Sequence, residues 1–344
     1  MSSWYRNVAA LADSPLAPLD EALAARLEGE NLNKLMAIEE KIKDAEENLG
    51  ESEVRDAQME KAAHIDNVGD QVKALAAYAD VIADGKAGAA VRIDCCLAKM
   101  RLGLCYMDRD LTDKAVAECH KTVDEGGDWE RRNRLKVYEA VNLLSSREFK
   151  KAAELLLESL ATFTCLELVT YRTYIFYTVV AAVVSLDRVT LKEKVLHAPE
   201  ILSVIEEIPA LSDFMNSLYK CDYGTFFHSL PTIVGQLHCD RYLKPHVKYF
   251  EREMCVVAYT QFLASYRSVT IESMAMAFGV SNSFLDRELS RFISSGRINA
   301  KIDKVGGVVE TNRPDAKNKL YQDAIKQGDA LLNRIQKLSR VINV

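Results

Sequence analysis

The chain has 344 residues, 49% hydrophobic and 27% charged, and its 50 acidic residues outnumber its 44 basic ones for a net charge of −6. That length supports large buried cores and two or three domains. The acidic balance disfavours a general nucleic-acid binder, and eight cysteines with no C-x-x-C pair read as small buried hydrophobes in a reducing compartment.

At the start, Met1-Ser-Ser-Trp-Tyr has neither a basic opening nor an apolar core, so no signal peptide is expected. Pro15 and Pro18 interrupt weakly amphipathic pieces around Trp4-Tyr5 and Leu19–Leu27. From Asn31 the pattern sharpens: Leu35, Ile38, Ile42, Ala45 and Leu49 alternate steps of three and four. This predicts a helix with a narrow seam, either laid against another helix or standing as a solvated strut. Residues 1–53 are expected to form an N-terminal helical segment.

Residues 54–187 carry a weak internal repeat. Lys73-Ala74, Lys114-Ala115 and Lys151-Ala152 recur at roughly forty residues, each opening a helix after a polar turn. Alanine lets paired helices approach, and Tyr78 and Phe149 fill the next layer. The pattern predicts tetratricopeptide-like hairpins stacked as a solenoid. The most apolar run, Tyr174–Leu186, is too short to span a bilayer and suits a helix buried in protein.

Residues 188–266 read as a helical adaptor in which Pro199, Pro209 and Pro231 punctuate short helices. Leu218, Tyr219, Tyr223, Phe226, Phe227 and Leu230 form an apolar cluster expected to join the solenoid to the C-terminal module. Pro245 opens a helix to about Tyr266, with Tyr249, Val256 and Phe262 as core candidates.

Residues 267–312 predict a winged helix. Thr270 caps a first helix bearing Ile271, Met274, Ala275 and Phe278, and Glu272 suits its positive end. Gly279 ends that helix. Ser281 or Ser283 caps a second, with Phe284, Leu285, Leu289, Phe292 and Ile293 on one side. Ile298, Ala300 and Ile302 alternate with polar residues, Gly306-Gly307 turns the chain, and Val308-Val309 returns. Val309 is expected at an outward edge, open to strand addition. The segment Arg267–Glu310 holds six basic and five acidic residues, a poor electrostatic footprint for DNA. Two uses of the fold stay open: nucleic-acid binding, and protein assembly through strand pairing between wings.

After Arg313-Pro314, residues 313–344 read as one long helix. Leu331, Ile335, Leu338 and Ile342 repeat at four, three and four, and Leu332 and Val341 widen the stripe. The stripe is expected either to fold back on its own domain or to enter a bundle. The candidate interface is therefore Ile298, Ala300, Ile302, Val308 and Val309 on the wing, with the six apolar positions of the last helix.

Local chemistry is absent. The six histidines form neither H-x-H nor H-E-x-x-H, and no P-loop or G-x-S-x-G motif occurs. His238-Cys239-Asp240 are adjacent and point apart. No catalytic residue, metal or cofactor is expected.

Six runs carry a resemblance: Asn48–Ala57, Glu125–Tyr138, Leu289–Ile293, Lys301–Val305, Val309–Asp315 and Leu331–Asn343. Together they resemble the PCI-domain subunits of the proteasome regulatory-particle lid, from about Ile38 to Val344. The resemblance implies a mainly α chain: a tetratricopeptide-like solenoid, then a PCI domain over 188–312, then an assembly helix. It implies a non-enzymatic scaffold in ubiquitin-dependent degradation, cytoplasmic and nuclear. Implied partners are other PCI subunits joined wing to wing, a lid helical bundle including MPN-type subunits, a small acidic lid peptide and, more distantly, the ATPase ring. Nucleic acid and membrane are not among them. Such subunits carry more sequence ahead of this point, which implies a short or divergent start. The alternatives are the equivalent PCI subunit of the signalosome and a winged-helix nucleic-acid or translation-factor adaptor.

Overall fold

The computed structural model describes Arg6 and residues 20–83, 87–312 and 316–342. Helix α1 (Glu21–Asn48) begins where the Asp20 carboxylate accepts from the backbone N–H groups of Ala22 and Leu23. It packs on α2 (Glu51–Val68) with Ile38 and Ala45 buried, Leu35 and Ile42 half-buried and Leu49 exposed. Lys41–Glu60 and Lys61–Glu39 tie the pair at 3.0 and 2.9 Å. The helix-on-helix reading therefore holds for α1, and the strut reading does not.

Further hairpins succeed it: α3 (Gln71–Ala83), α4 (Ala89–Tyr106), α5 (Arg109–Gly126), α6 (Trp129–Ser145) and α7 (Phe149–Glu158). Ala74, Ala115 and Ala152, the repeated alanines, are buried, as are Tyr78 and Phe149. Small residues set the approach elsewhere too. A Cβ on Gly103 of α4 would collide with Thr112 Oγ1 on α5, so only glycine fits there. Ion pairs link helices two apart, Arg101 of α4 to Asp66 of α2 and Arg131 of α6 to Asp94 of α4 at 2.9 and 2.8 Å, and Arg134 of α6 reaches Glu167 in a turn beyond α7 at 2.6 Å; the partners are 35, 37 and 33 residues apart. That recurrence is the physical trace of the repeat.

Helix α8 (Tyr171–Ser185) holds the most apolar run, and its residues from Tyr174 to Val183 are buried. It is an internal helix, as its length predicts. Short helices α9 (Arg188–Leu191, continued by a π turn to Leu196) and α10 (Pro199–Leu202) end the first compact unit, Met1–Val204.

The second unit is Ile205–Val344. It opens with α11 (Leu211–Lys220), α12 (Tyr223–Cys239) and α13 (Val247–Leu263), the last following a 3-10 turn at Lys244–His246. Pro231 does not punctuate here; it lies inside α12. Its missing N–H withholds the bond that the Phe227 carbonyl would otherwise accept. Burial of Tyr223, Phe226, Leu230 and Ile233 on the same helix offsets that loss.

Strand β1 (Ser268–Thr270) leads into α14 (Ile271–Phe278). Then come α15 (Asn282–Ser294), β2 (Ala300–Asp303), β3 (Val308–Thr311) and α16 (Ala316–Ile342). The sheet order is β1-β3-β2, antiparallel throughout. Helix–turn–helix plus this sheet is a winged helix, and the chain is a mainly α protein with a helical-repeat region ahead of it.

Candidate assembly interface

The winged helix is built by short local signals. Thr270 Oγ1 accepts from the Ser273 N–H, Gly279 ends α14 at φ +66°, and Ser281 Oγ accepts from the Phe284 N–H. Met274, Ala275 and Phe278 of α14 and Leu285, Leu289 and Phe292 of α15 point inward. Phe284, expected on that buried side, is 44% exposed; it sits one position off the face that Leu285 and Leu289 define.

Aromatic rings dock this module on its adaptor helices. Phe278 stands 5.0 Å from Tyr223, 5.4 Å from Phe227 and 5.2 Å from Phe262, centroid to centroid. The Arg297 guanidinium grips buried Glu253 of α13, Nη1 to Oε1 at 2.8 Å. That hydrogen bond, joined by the carboxylate's charge, raises the Arg297 pKa further above neutrality. A groove of ≈ 700 Å³ runs beside the cluster, lined by Phe227, Pro231, Cys255, Val280 and Phe284 among others. No motif announces it.

The sheet corrects one expectation. Val309 is not at an outward edge: β3 is the central strand, Val309 pairs with Val269 on one side and Ile302 on the other, and its side chain is fully buried. The physical reason is β1, three residues that the cap at Thr270 concealed. Strand β2 is an outer strand instead. The bond from the Asn312 N–H to the Asn299 carbonyl, 3.0 Å, sets the alternation. By that alternation Lys301 and Asp303 face β3, while the backbone groups of Ala300 and Ile302 face away from it.

The expected interface residues thus divide. Ile298, Ala300 and Val309 are buried in the winged helix itself, and Ile302 and Val308 are half-buried. Leu331, Leu332, Ile335, Leu338, Val341 and Ile342 are all exposed, as is every described side chain of α16 from Leu320 to Ile342. A stripe this apolar left in water is unfavourable, since burying each such side chain is worth about 1.5–3 kcal/mol.

Three of the cations near the wing already face carboxylates: Lys304–Asp286 at 3.4 Å, Arg291–Glu288 at 3.6 Å and Arg297–Glu253. Among the described residues no group of three or more His, Cys, Asp or Glu side chains is placed to hold a metal. Burial pushes the Cys95, Cys165 and Cys255 thiols up to about 12, far from a nucleophile's range at neutral pH.

Sequence comparison then decides the family. The profile described as "26S proteasome subunit RPN7" matches residues 20–194, that of the PCI domain residues 233–313, and that of the "26S proteasome regulatory subunit RPN7/PSMD6 C-terminal helix" residues 321–342. The chain belongs to the RPN7 family. Among RPN7 relatives, the "26S proteasome non-ATPase regulatory subunit 6 homolog" of Arabidopsis thaliana is 52% identical over 96% of this chain and 85% of its own length. The Saccharomyces cerevisiae protein "26S proteasome regulatory subunit RPN7" is 38% identical over 94% of this chain and 77% of its own. By contrast, "COP9 signalosome complex subunit 1" of Arabidopsis thaliana is 28% identical over 43% of this chain and 34% of its own length. Of the two PCI assemblies weighed from the sequence, the RPN7 side carries the likeness along nearly the whole chain.

Proposed function

We propose that the chain is a non-catalytic scaffold of the proteasome regulatory-particle lid, held there by α16 and by the outer edge of its wing. The observation that carries this is α16 itself: 27 residues of helix, its apolar stripe exposed, joined to a PCI winged helix whose charges nearly cancel. An isolated domain gains nothing from that stripe; a subunit gains an anchor. In this reading 1–53 and 54–187 form the arm, 188–312 the PCI module and 313–344 the assembly helix.

The occupants of the wing edge and of α16 are other PCI subunits and the lid helical bundle with its MPN-type members. The small acidic lid peptide and the ATPase ring are further neighbours. The scaffold works in ubiquitin-dependent degradation in cytoplasm and nucleus. No described helix is long and apolar enough to cross a membrane. The buried thiols of Cys95 and Cys165, held protonated far above neutral pH, support a role without chemistry.

Co-expression of the tagged chain with the other lid subunits tests the proposal. The expected result is a stable complex from the full chain and free subunits when residues 328–342 are removed. Recovery of an intact complex from the truncated chain overturns it. Binding to duplex DNA or RNA that weakens steeply with salt would favour the nucleic-acid reading instead.

A further inference from the structure

We infer that α16 packs against two helices at once, and that the helix along its Arg334–Lys337 side carries carboxylates. The inference rests on the assembly role proposed above and names the chemistry of what that role binds.

Two heptad tracks run along α16. The first passes through Ala324, Gly328, Leu331, Ile335, Leu338 and Ile342 in steps of four, three, four, three and four. Alternating threes and fours are the seam that one partner helix fills in a left-handed coiled coil. The second begins at Tyr321 and passes through Ile325, Gly328, Leu332 and Ile335 to Ser339, with the same alternation. The tracks meet at Gly328 and Ile335 and diverge between them. A two-stranded coiled coil needs only one track, and a stripe this wide matches a helix with neighbours on two sides. Neither track is covered by the described residues: Ile325 is 64% exposed, Leu331 60% and Leu332 57%.

The two outer flanks differ in charge. On a helix, residues three and four apart are neighbours. Arg334 therefore stands beside Leu331 and Leu338 of the first track, with Lys337 next to Arg334. Beside the second track stand Gln322, next to Ile325, Asp329, next to Ile325 and Leu332, and Gln336, next to Leu332 and Ser339, so this flank carries a carboxylate where the first carries cations. From Ala330 to Ile342 the helix carries Arg334, Lys337 and Arg340 and no carboxylate. Charges flanking a coiled-coil seam choose the partner by complementarity. The first track thus fits a helix flanked by Asp or Glu; the second fits a helix without that requirement.

The test uses the full tagged chain co-expressed with the remaining lid subunits, captured in about 0.15 M salt, where surface charge is partly screened. Arg334→Glu with Lys337→Glu is expected to lower recovery of the complex about tenfold, and Gln322→Glu with Gln336→Glu to change it less than about twofold. Leu331→Asp with Leu338→Asp breaks the first track and Ile325→Asp with Leu332→Asp the second; each pair alone is expected to release the chain. Equal losses from both glutamate pairs, or no loss from the arginine–lysine reversal, overturn the acidic partner. An intact complex from the Ile325/Leu332 pair overturns the second helix. If the Leu331/Leu338 pair also assembles normally, the anchoring role itself fails and not merely this refinement of it. The melting temperature of each variant without partners is expected to match the parent chain, because the substituted side chains are exposed.

Discussion

The ring of Phe278 meets that of Tyr259 edge to face, 5.1 Å apart with planes at 85°. One residue ends the first helix of the winged module and the other lies on the adaptor helix α13. The PCI module is therefore one packed body at this point, where a positive ring edge addresses a negative ring face.

Phe278→Ala should destabilise this unit by about 3–5 kcal/mol, the range for emptying a buried aromatic site. Tyr259→Phe should behave oppositely. The Tyr259 hydroxyl is buried and has no hydrogen-bond partner among the described residues, so its removal should be neutral or stabilising by about 1 kcal/mol. Denaturant melts of the two variants check both signs; a strongly destabilised Tyr259→Phe protein would show that the hydroxyl is satisfied in solution.

The outer edge of the wing gives a second prediction. Ile302→Pro removes an N–H that faces away from β3, so the sheet should survive while strand addition by a neighbour is blocked. Ile302→Ala controls for the lost side chain. Lys301→Pro, which removes an N–H facing β3, should unfold the wing outright. Thermal melts and recovery of the assembled lid separate these. Normal assembly of the Ile302→Pro chain means that neighbours do not add a strand there.

Truncation before Gly328 yields a third. Residues 328–342 are exposed, so the shortened chain should melt within about 2 °C of the parent and yet fail to enter the complex. Had α16 folded back on its own domain, the melting temperature would drop instead. Calorimetry on the free chain and pull-down from the same preparation read the two outcomes together.

Acid should weaken the repeat region in a defined window. Burial pushes the Glu167 carboxyl up, but the hydrogen bond and charge of Arg134 outweigh it and hold the pKa below the ordinary value. A depressed folded-state pKa contributes stability above the unfolded value, about 4.3, and that contribution fades as pH falls through the folded one. Glu167→Gln should be less stable at pH 7, and its stability should fall less between about pH 5 and 3. Parallel loss in both proteins would assign the acid sensitivity to other carboxylates.

Local rules made much of this architecture legible. Thr270, Gly279 and Ser281 each announce a helix boundary through one side chain or one missing Cβ, and they stand where expected. The repeated alanines announce helix contacts, and all three are buried. Other features depend on partners distant in sequence. Ser268-Val269-Thr270 is too short to show alternation, and it is a strand only because β3 lies beside it. That one omission moved Val309 from the edge to the centre. Pro231 obeys no local rule either; packing along α12 overrides its cost. The candidate interface was readable only as apolar positions, since a sequence does not say which faces its own fold will cover.

The exposed stripe of α16 also bears on supply. A copy made in excess of its partners displays Leu331, Ile335 and Leu338 to every other unpaired protein around it. Exposed apolar helices of this kind self-associate and recruit chaperones and proteases. If α16 anchors the subunit as proposed, the same surface marks an orphan for removal, coupling the lifetime of each copy to the presence of its neighbours. Pulse-chase lifetimes should lengthen when partner subunits are co-expressed, and Leu331→Asp with Leu338→Asp should blunt that dependence.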